Sequence, residues 1–304
     1  MGASRRRESD GDEVREESRL IFRARRLLWE RNVGQVADIA SIGYVWAAIL
    51  GLIQGLTEFL PVSSSGHLAM AGHVGFGMPA GPELDAFLHL ATLLTVFIYF
   101  RSAIIRCFRE DRRVLAYIVV ASIPTGVIGL LCKDYFEALR LSPNMICAGF
   151  MVTAAALSMA ELSHGGNYRL RGLGGFGAFF IGLCQTLAIS PGISRSGSTI
   201  SGAMLCGIDK EEAFAFSFIL SIPAVFGAAS LHAYNLCKER GGPAALFAGQ
   251  EWGPLLTGFV VAAVTGFVAL SLLDWVVVRG KLAWFAAYCL LAAGAGFVYF
   301  NFVR

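Results

Sequence analysis

Glu58 stands four residues after Gln54 in an otherwise apolar segment, and Pro61, Ser63, Ser64, Ser65, Gly66 and His67 follow closely. At helical spacing a four-residue step is about 40° of rotation, so the amide and the carboxylate share a face. A second polar island, Pro191-Gly192-Ile193-Ser194-Arg195-Ser196-Gly197-Ser198-Thr199, places Arg195 among hydroxyls. Ionisable groups inside apolar membrane segments cost about 2.5–3.5 kcal/mol each on insertion scales, so these positions call for a reason. A carboxylate, hydroxyls, an imidazole and a guanidinium converging from two loops suit phosphoryl transfer. Arg grips phosphate oxygens bidentately. Backbone N–H groups at a Gly/Ser turn add an anion nest, and a Glu beside an amide can hold a divalent cation that bridges two phosphates.

A diphosphate in a water-poor cavity carries more charge than one guanidinium neutralises, so a bound divalent cation is expected. The nucleophile is Ser64 with His67 taking its proton, or a water activated by His67. The spacing leaves both open and leans toward Ser64 and a phosphoserine intermediate. Each group also has a purely structural reading. Glu58 could simply pair with Arg195, His67 could be a hydrogen-bonded core histidine, and the serines could satisfy broken-helix backbone. His73, His89, His164 and His232 lack comparable neighbours and receive no role.

The elements that must carry these residues are membrane helices. The 304 residues are 56% hydrophobic and 15% charged, against about 25% charged in a soluble domain. Nine Arg and seven Asp/Glu fall within residues 1–31, so 16 of the 25 + 22 = 47 formal charges occupy the first tenth of the chain. The remainder cannot coat a globule with polar surface and belongs in lipid. A net charge of +3 is too small for a nucleic-acid partner. The seven cysteines are scattered, with no C-x-x-C pair, and read as small buried hydrophobes. Residues 1–40 form a charged extension with an amphipathic surface helix or solvated tail over 20–31, and 41–304 form one polytopic domain.

Six apolar segments, 84–100, 114–131, 144–162, 211–236, 254–278 and 281–303, are suited to crossing a bilayer. Two others break: 42–60 runs to Pro61 and resumes at 68–78, and 176–190 runs to Pro191 and resumes at 199–208. Such interrupted pairs suggest re-entrant helical hairpins. Gly51, Leu52, Gln54, Leu56, Ser63, Ser65 and Gly66 recur 131 residues later as Gly182, Leu183, Gln185, Leu187, Ser194, Ser196 and Gly197. A fainter echo links Thr125-Gly126 to Thr265-Gly266. Three full spans lie between the hairpins, and an odd number inverts the second copy. The expected fold is therefore all-α, with six transmembrane helices and two re-entrant hairpins in an inverted repeat of halves 42–162 and 176–303. Basic loops at 101–113, 163–175 and 279–281 then share the cytoplasmic side. An eight-span alternative brings the Arg-rich tail inside but exports Arg279 and Lys281.

Both polar islands resemble the signatures of the bacterial undecaprenyl-diphosphate phosphatase family of the bacitracin-resistance type. One signature is an acidic or amide residue four before a Glu, running into Pro-Val-Ser-Ser-(Ser/Thr)-Gly-His, matched from Gln54 to His67. The other is Pro-Gly-x-Ser-Arg-Ser-Gly-x-Thr, matched from Pro191 to Thr199. The resemblance covers about residues 42–303. It implies an integral hydrolase of the cytoplasmic (inner) membrane that removes the terminal phosphate of undecaprenyl diphosphate. That activity recycles the lipid carrier for cell-wall synthesis and underlies bacitracin resistance. It further implies a site open to the periplasmic side, dependence on Mg²⁺ or Ca²⁺, and membrane lipid as surroundings; a homodimer is one assembly open to the chain, whose oligomeric state the sequence does not reveal. In the family's pattern Glu58 and Gln54 would hold metal or diphosphate, Ser64 would be the nucleophile or a phosphate ligand, His67 the general acid/base and Arg195 the phosphate clamp. Ser63, Ser65, Ser194, Ser196 and Thr199 would bind substrate. A neutral Gln54 supplies one charge fewer for metal.

A transporter or lipid flippase is the rival class, because inverted repeats with broken helices are transporter architecture. The Ser–His–Arg–Glu set favours an enzyme. The other membrane phosphatase class requires a nucleophilic His six residues after its Arg, where this chain has Ser201.

Overall fold

Apolar chain in a bilayer must satisfy every backbone N–H and C=O internally, and apart from one isolated bridge (Tyr168 with Ile208) the described elements are helical. The computed structural model describes residues 43–74, 82–163, 166–240, 242, 252–278 and 281–303. The N-terminal extension, with the helix expected over 20–31, lies outside them. In chain order the helices are α1 (Tyr44–Phe59), α2 (Ser64–Val74), α3 (Pro82–Tyr99), α4 (Arg101–Arg109), α5 (Arg112–Leu131), α6 (Lys133–Arg140) and α7 (Pro143–Ser163). A short 3₁₀ turn at Leu170–Gly172 precedes α8 (Gly174–Leu187), α9 (Arg195–Leu205), α10 (Lys210–Arg240), α11 (Trp252–Val278) and α12 (Ala283–Val298), the last ending in a π turn.

Five helices (α5, α7, α10, α11 and α12 with its π turn) are long and apolar enough to cross a membrane. A sixth span is made only by α3 (Leu84–Tyr99) taken together with α4, the two bent by 69° at their junction. The stretch 101–113, expected as a loop, carries the short helix α4, and the connection between the expected spans 114–131 and 144–162 carries α6. Their sequences are amphipathic: α4 buries Cys107 while Ile105 and Phe108 stay exposed among its arginines. A search for long apolar runs passes over such segments.

Contacts at the helix ends fix the direction in which each hairpin enters. The Arg171 guanidinium pairs with Asp111, Tyr117 Oη donates to Arg171 O, Leu170 N donates to Glu212, and Leu282 N donates to Glu161. These join the 101–113 and 166–175 segments, the end of α7 and the start of α10 and α12 at one end of the molecule. At the opposite end His73 meets Arg140 O and the ring of Phe300, and Asn144 bonds Asn301. The α1–α2 hairpin starts and finishes at that opposite end, where Tyr44 lies against Gly253 and His73 against Phe300. The α8–α9 hairpin starts and finishes at the basic end, where Gly207 and Ile208 bond Gly166 and Tyr168. Two hairpins entering from opposite ends are the inverted repeat expected from the 131-residue echo.

Close approach seats both hairpins. Gly51 of α1 faces the Gly258 carbonyl of α11, and Gly182 of α8 faces the Ala121 carbonyl of α5, at distances that leave no room for a Cβ. Each half thus supplies the span that supports the other half's hairpin. The echoed threonines lie on those same spans: Thr125 Oγ1 donates to Gly182 O at 3.3 Å, and Thr265 packs on Gly55.

The turn before α9 is fastened to α7. Thr153 Oγ1 donates to Gly192 O at 3.0 Å and accepts from Ser194 N at 2.9 Å. Gly192 has φ +84°, and a Cβ on Gly149 would strike Pro191 O. Gly149→Ala is expected to cost about 1–3 kcal/mol through backbone displacement. The check is a lower thermal midpoint of the purified protein in detergent; an unchanged midpoint refutes this account of the contact.

Candidate active site

The break in each hairpin is a helix start, and the start is written in serine. Ser194 Oγ accepts from Gly197 N at 3.1 Å, and Ser63 Oγ accepts from Gly66 N at 3.3 Å. Side-chain oxygens at this position satisfy otherwise orphaned N–H groups of a first turn. The inner legs accordingly begin at Ser64 and Arg195, about four residues before the apolar stretches expected at 68 and 199. Ser63 takes φ +66°, an uncommon conformation for a residue with a Cβ.

Because Ser64 and Arg195 each open an inner leg, they come together at the tips, and Glu58 in the last turn of α1 lies between them. Glu58 Oε1 accepts from Arg195 Nη2 at 2.7 Å, and Oε2 accepts from Ser64 Oγ at 2.6 Å. Gln54 Nε2, one turn back, donates to Oε2 at 3.2 Å. The carboxylate side chain is 9% exposed and the guanidinium side chain 16%. The Arg195 Cζ sits 5.6 Å from the Phe218 ring centre, a cation–π contact on its apolar side.

Two polar atoms in this cluster are buried without a hydrogen-bond partner among the described residues: Arg195 Nη1 and Gln54 Oε1. A guanidinium N–H left dry and unpaired is costly. It is a donor in want of an acceptor, and Gln54 Oε1 is a spare hard oxygen.

The remaining expected residues divide. Ser65 Oγ lies 3.3 Å from Ser63 Oγ, and Ser196 Oγ lies 3.2 Å from Ser194 Oγ. These four serines form two matching cap networks beside the tips. Thr199 Oγ1 donates to Arg195 O at 2.8 Å and meets Ser217 of α10, so its hydroxyl faces the helix packing rather than Glu58. His67 lies one turn beyond Ser64 and turns elsewhere. Its Nδ1 donates to Ser63 O at 2.8 Å, and its Nε2 lies 2.7 Å from Tyr288 Oη of α12. The Ser64 proton is thus directed at Glu58, and His67 is joined to Tyr288.

Three further residues, none singled out by the sequence, touch members of this group. His89 places Nε2 3.8 Å from Glu58 Oε2, while its Nδ1 donates to Asp85 O at 2.8 Å. An ionisable pair at i, i+4 inside the 84–100 span was the available signal. Tyr288 and Phe218 carried no such signal, since aromatics are ordinary in membrane helices.

With this geometry in hand, comparison with known proteins is specific. Residues 47–295 match the family described as "Bacitracin resistance protein BacA". The chain belongs to this family. Relatives within it include an undecaprenyl-diphosphatase of Carboxydothermus hydrogenoformans, 41% identical over 244 residues that cover 80% of this chain and 92% of the relative. One from Syntrophotalea carbinolica with the same name is 39% identical over 268 residues, covering 84% and 98%. A third, from Methanobrevibacter smithii, is 36% identical over 269 residues. The family match spans both hairpins, so Gln54, Glu58, Ser64, His67 and Arg195 all lie inside it.

The donor set bears on the expected cation. Among the described residues no three His, Cys, Asp or Glu cluster as a metal cage. Mg²⁺ wants about six oxygens and keeps several from water or substrate phosphate. Glu58 with the free Gln54 Oε1 fits a cation that shares the phosphate oxygens of a bound diphosphate. It does not fit a permanently caged ion.

Proposed function

We propose that this chain hydrolyses undecaprenyl diphosphate to undecaprenyl phosphate and inorganic phosphate, returning the lipid carrier to cell-wall synthesis. The observation that carries this reading is Arg195 Nη1, buried and unpartnered beside a Ser64 hydroxyl already bonded to a carboxylate. The names borne by the relatives point the same way. The basic segments gather at one end, and by the positive-inside rule that end is cytoplasmic. The α1–α2 hairpin then opens from the periplasmic side, which is where the substrate diphosphate is met.

The chemistry follows from who holds what. An arriving terminal phosphate takes both guanidinium nitrogens of Arg195 and replaces Glu58 on Nη2. Glu58 then loses its ion-pair partner and becomes the base for Ser64. Ser64 Oγ attacks the terminal phosphorus, its proton passes to Glu58, and the bridging P–O bond breaks with its electron pair leaving on undecaprenyl phosphate. Water attacks the phosphoserine and gives its proton to the His67 side, while Ser64 recovers a proton from Glu58. Gln54 and Glu58 would hold a divalent cation, Mg²⁺ or Ca²⁺, whose contribution is charge neutralisation at the diphosphate. Ser63, Ser65, Ser194 and Ser196 keep both tips in the conformation that presents backbone N–H groups.

Phosphate release from undecaprenyl diphosphate by purified protein tests the reading. Wild type is expected to turn over and to lose activity in EDTA. Ser64→Ala is expected to fall by about 10²-fold or more and to trap no labelled phosphate on the protein. A wild type that releases no phosphate refutes the hydrolase reading, and solute or lipid movement in liposomes then becomes the better one.

A further inference from the structure

His67 has no free nitrogen. Its Nδ1 lies 2.8 Å from Ser63 O, and a carbonyl can only accept, so Nδ1 carries the proton. The one lone pair of the neutral ring is then on Nε2, which faces Tyr288 Oη at 2.7 Å. Two rings pack against the imidazole. Phe150 meets it edge-on at 5.1 Å, and Tyr288 stacks on it at 5.7 Å with 12° between planes. Any proton that His67 takes must therefore arrive by way of the Tyr288 hydroxyl.

We infer that Tyr288 is a catalytic proton relay between the attacking water and His67 in the hydrolysis of the phosphoserine intermediate. This rests on the phosphatase reading above and assigns a residue to its second half. The water oxygen bonds to phosphorus as one water proton moves to Tyr288 Oη. The Oη proton moves to His67 Nε2 in the same event, the P–Oγ bond of Ser64 breaks, and Ser64 takes back the proton held by Glu58. Each atom and charge is accounted for, and the imidazolium returns its proton outward along the same path. A hydroxyl suits this place because it donates to the neutral ring and accepts from the charged one.

Tyr288 is 45% exposed on α12, so its ring fills no core hole, and on a membrane span its hydroxyl needs a partner from the protein. Here the oxygen turns to an imidazole 221 residues away in sequence. The first half-reaction uses a different base, since Ser64 gives its hydrogen bond to Glu58. Loss of the relay should therefore divide the two steps.

Tyr288→Phe keeps the stacked ring and removes only the oxygen. With undecaprenyl diphosphate labelled in its terminal phosphate, kcat is expected to fall about 10²-fold. Labelled phosphate should accumulate on Ser64 toward one per chain, and Ser64→Ala/Tyr288→Phe should carry none. His67→Ala should accumulate the same label, with no further loss on adding Tyr288→Phe, as members of one unit behave. Tyr288→Phe with wild-type kcat, with slowed turnover but no trapped phosphate, or with an equal further loss in the His67→Ala background overturns the relay. A wild type that releases no phosphate fails at the earlier step and removes the phosphatase reading itself, so the two failures are distinguishable.

Discussion

Replacing Arg195 by lysine is expected to lower kcat/KM for undecaprenyl diphosphate by about 10²–10³-fold, although the charge is kept. The reason is geometric. Arg195 presents Nη2 to Glu58 and holds Nη1 buried and unpartnered, so a phosphate finds two coplanar donors already in place. A lysine offers one point charge on a flexible stem and cannot span two phosphate oxygens. Arg195→Ala goes further, since it leaves the Glu58 carboxylate buried without its cation. Removing one partner of a buried pair costs about 3–5 kcal/mol of stability. The alanine variant should thus melt early as well as fail in turnover, while the lysine variant should separate activity from folding. Steady-state kinetics and thermal melts on both decide it. Wild-type kcat/KM in Arg195→Lys would show that Arg195 serves only as the structural partner of Glu58.

The physical origin of each feature explains which parts were legible in advance. Glu58 and Arg195 stood out because lipid makes charge expensive, so the few ionisable residues inside apolar runs were informative. The hairpins were legible as Pro- and Gly-broken apolar runs. Their starting points were not, because Ser64 and Arg195 open helices whose first turns are polar, and only the capping roles of Ser63 and Ser194 mark them. The partner of His67 was not legible either. Its neighbour in space, Tyr288, belongs to another span, and a tyrosine in a membrane helix carries no chemical signature until its hydroxyl has an address. His89 was not legible because it has no comparable polar neighbours in sequence, and only α3 brings its ring within 3.8 Å of Glu58.

The repeat clarifies how two similar hairpins yield one site. Ser64 and Arg195 are separated by 131 residues, so they occupy the same position in the two copies, the first residue of each inner leg. Gln54 and Gln185 also correspond, and both keep a buried carbonyl oxygen without a partner among the described residues. In the second copy Gln185 Nε2 donates to Thr125 Oγ1, and the position of Glu58 is held by Ile189. Near-symmetry brings the two tips to one point, and the single carboxylate makes that point chemically one-sided. A repeated scaffold with one carboxylate and one guanidinium at its centre suits the proposed reaction, whose two phosphates play different parts.

That asymmetry makes Glu58→Gln the sharpest test of the first half-reaction. The change keeps the shape, turns one accepting oxygen into an N–H₂ donor, and removes the charge and the basic oxygen. Ser64 Oγ, 2.6 Å from Oε2 in the wild type, would still find a neighbour but no group able to take its proton. A loss of about 10²–10⁴ in kcat is expected, the range for removing a positioned base. Phosphate should not accumulate on Ser64, in contrast to Tyr288→Phe, because the block precedes the intermediate. Substrate affinity should hold or improve, since Arg195 no longer has a competing carboxylate to leave. Measuring KM, kcat and trapped label together distinguishes this from a metal-holding role. If Glu58 served only a cation, excess Mg²⁺ or Ca²⁺ would restore turnover in Glu58→Gln; as the base for Ser64, it is expected to resist such rescue.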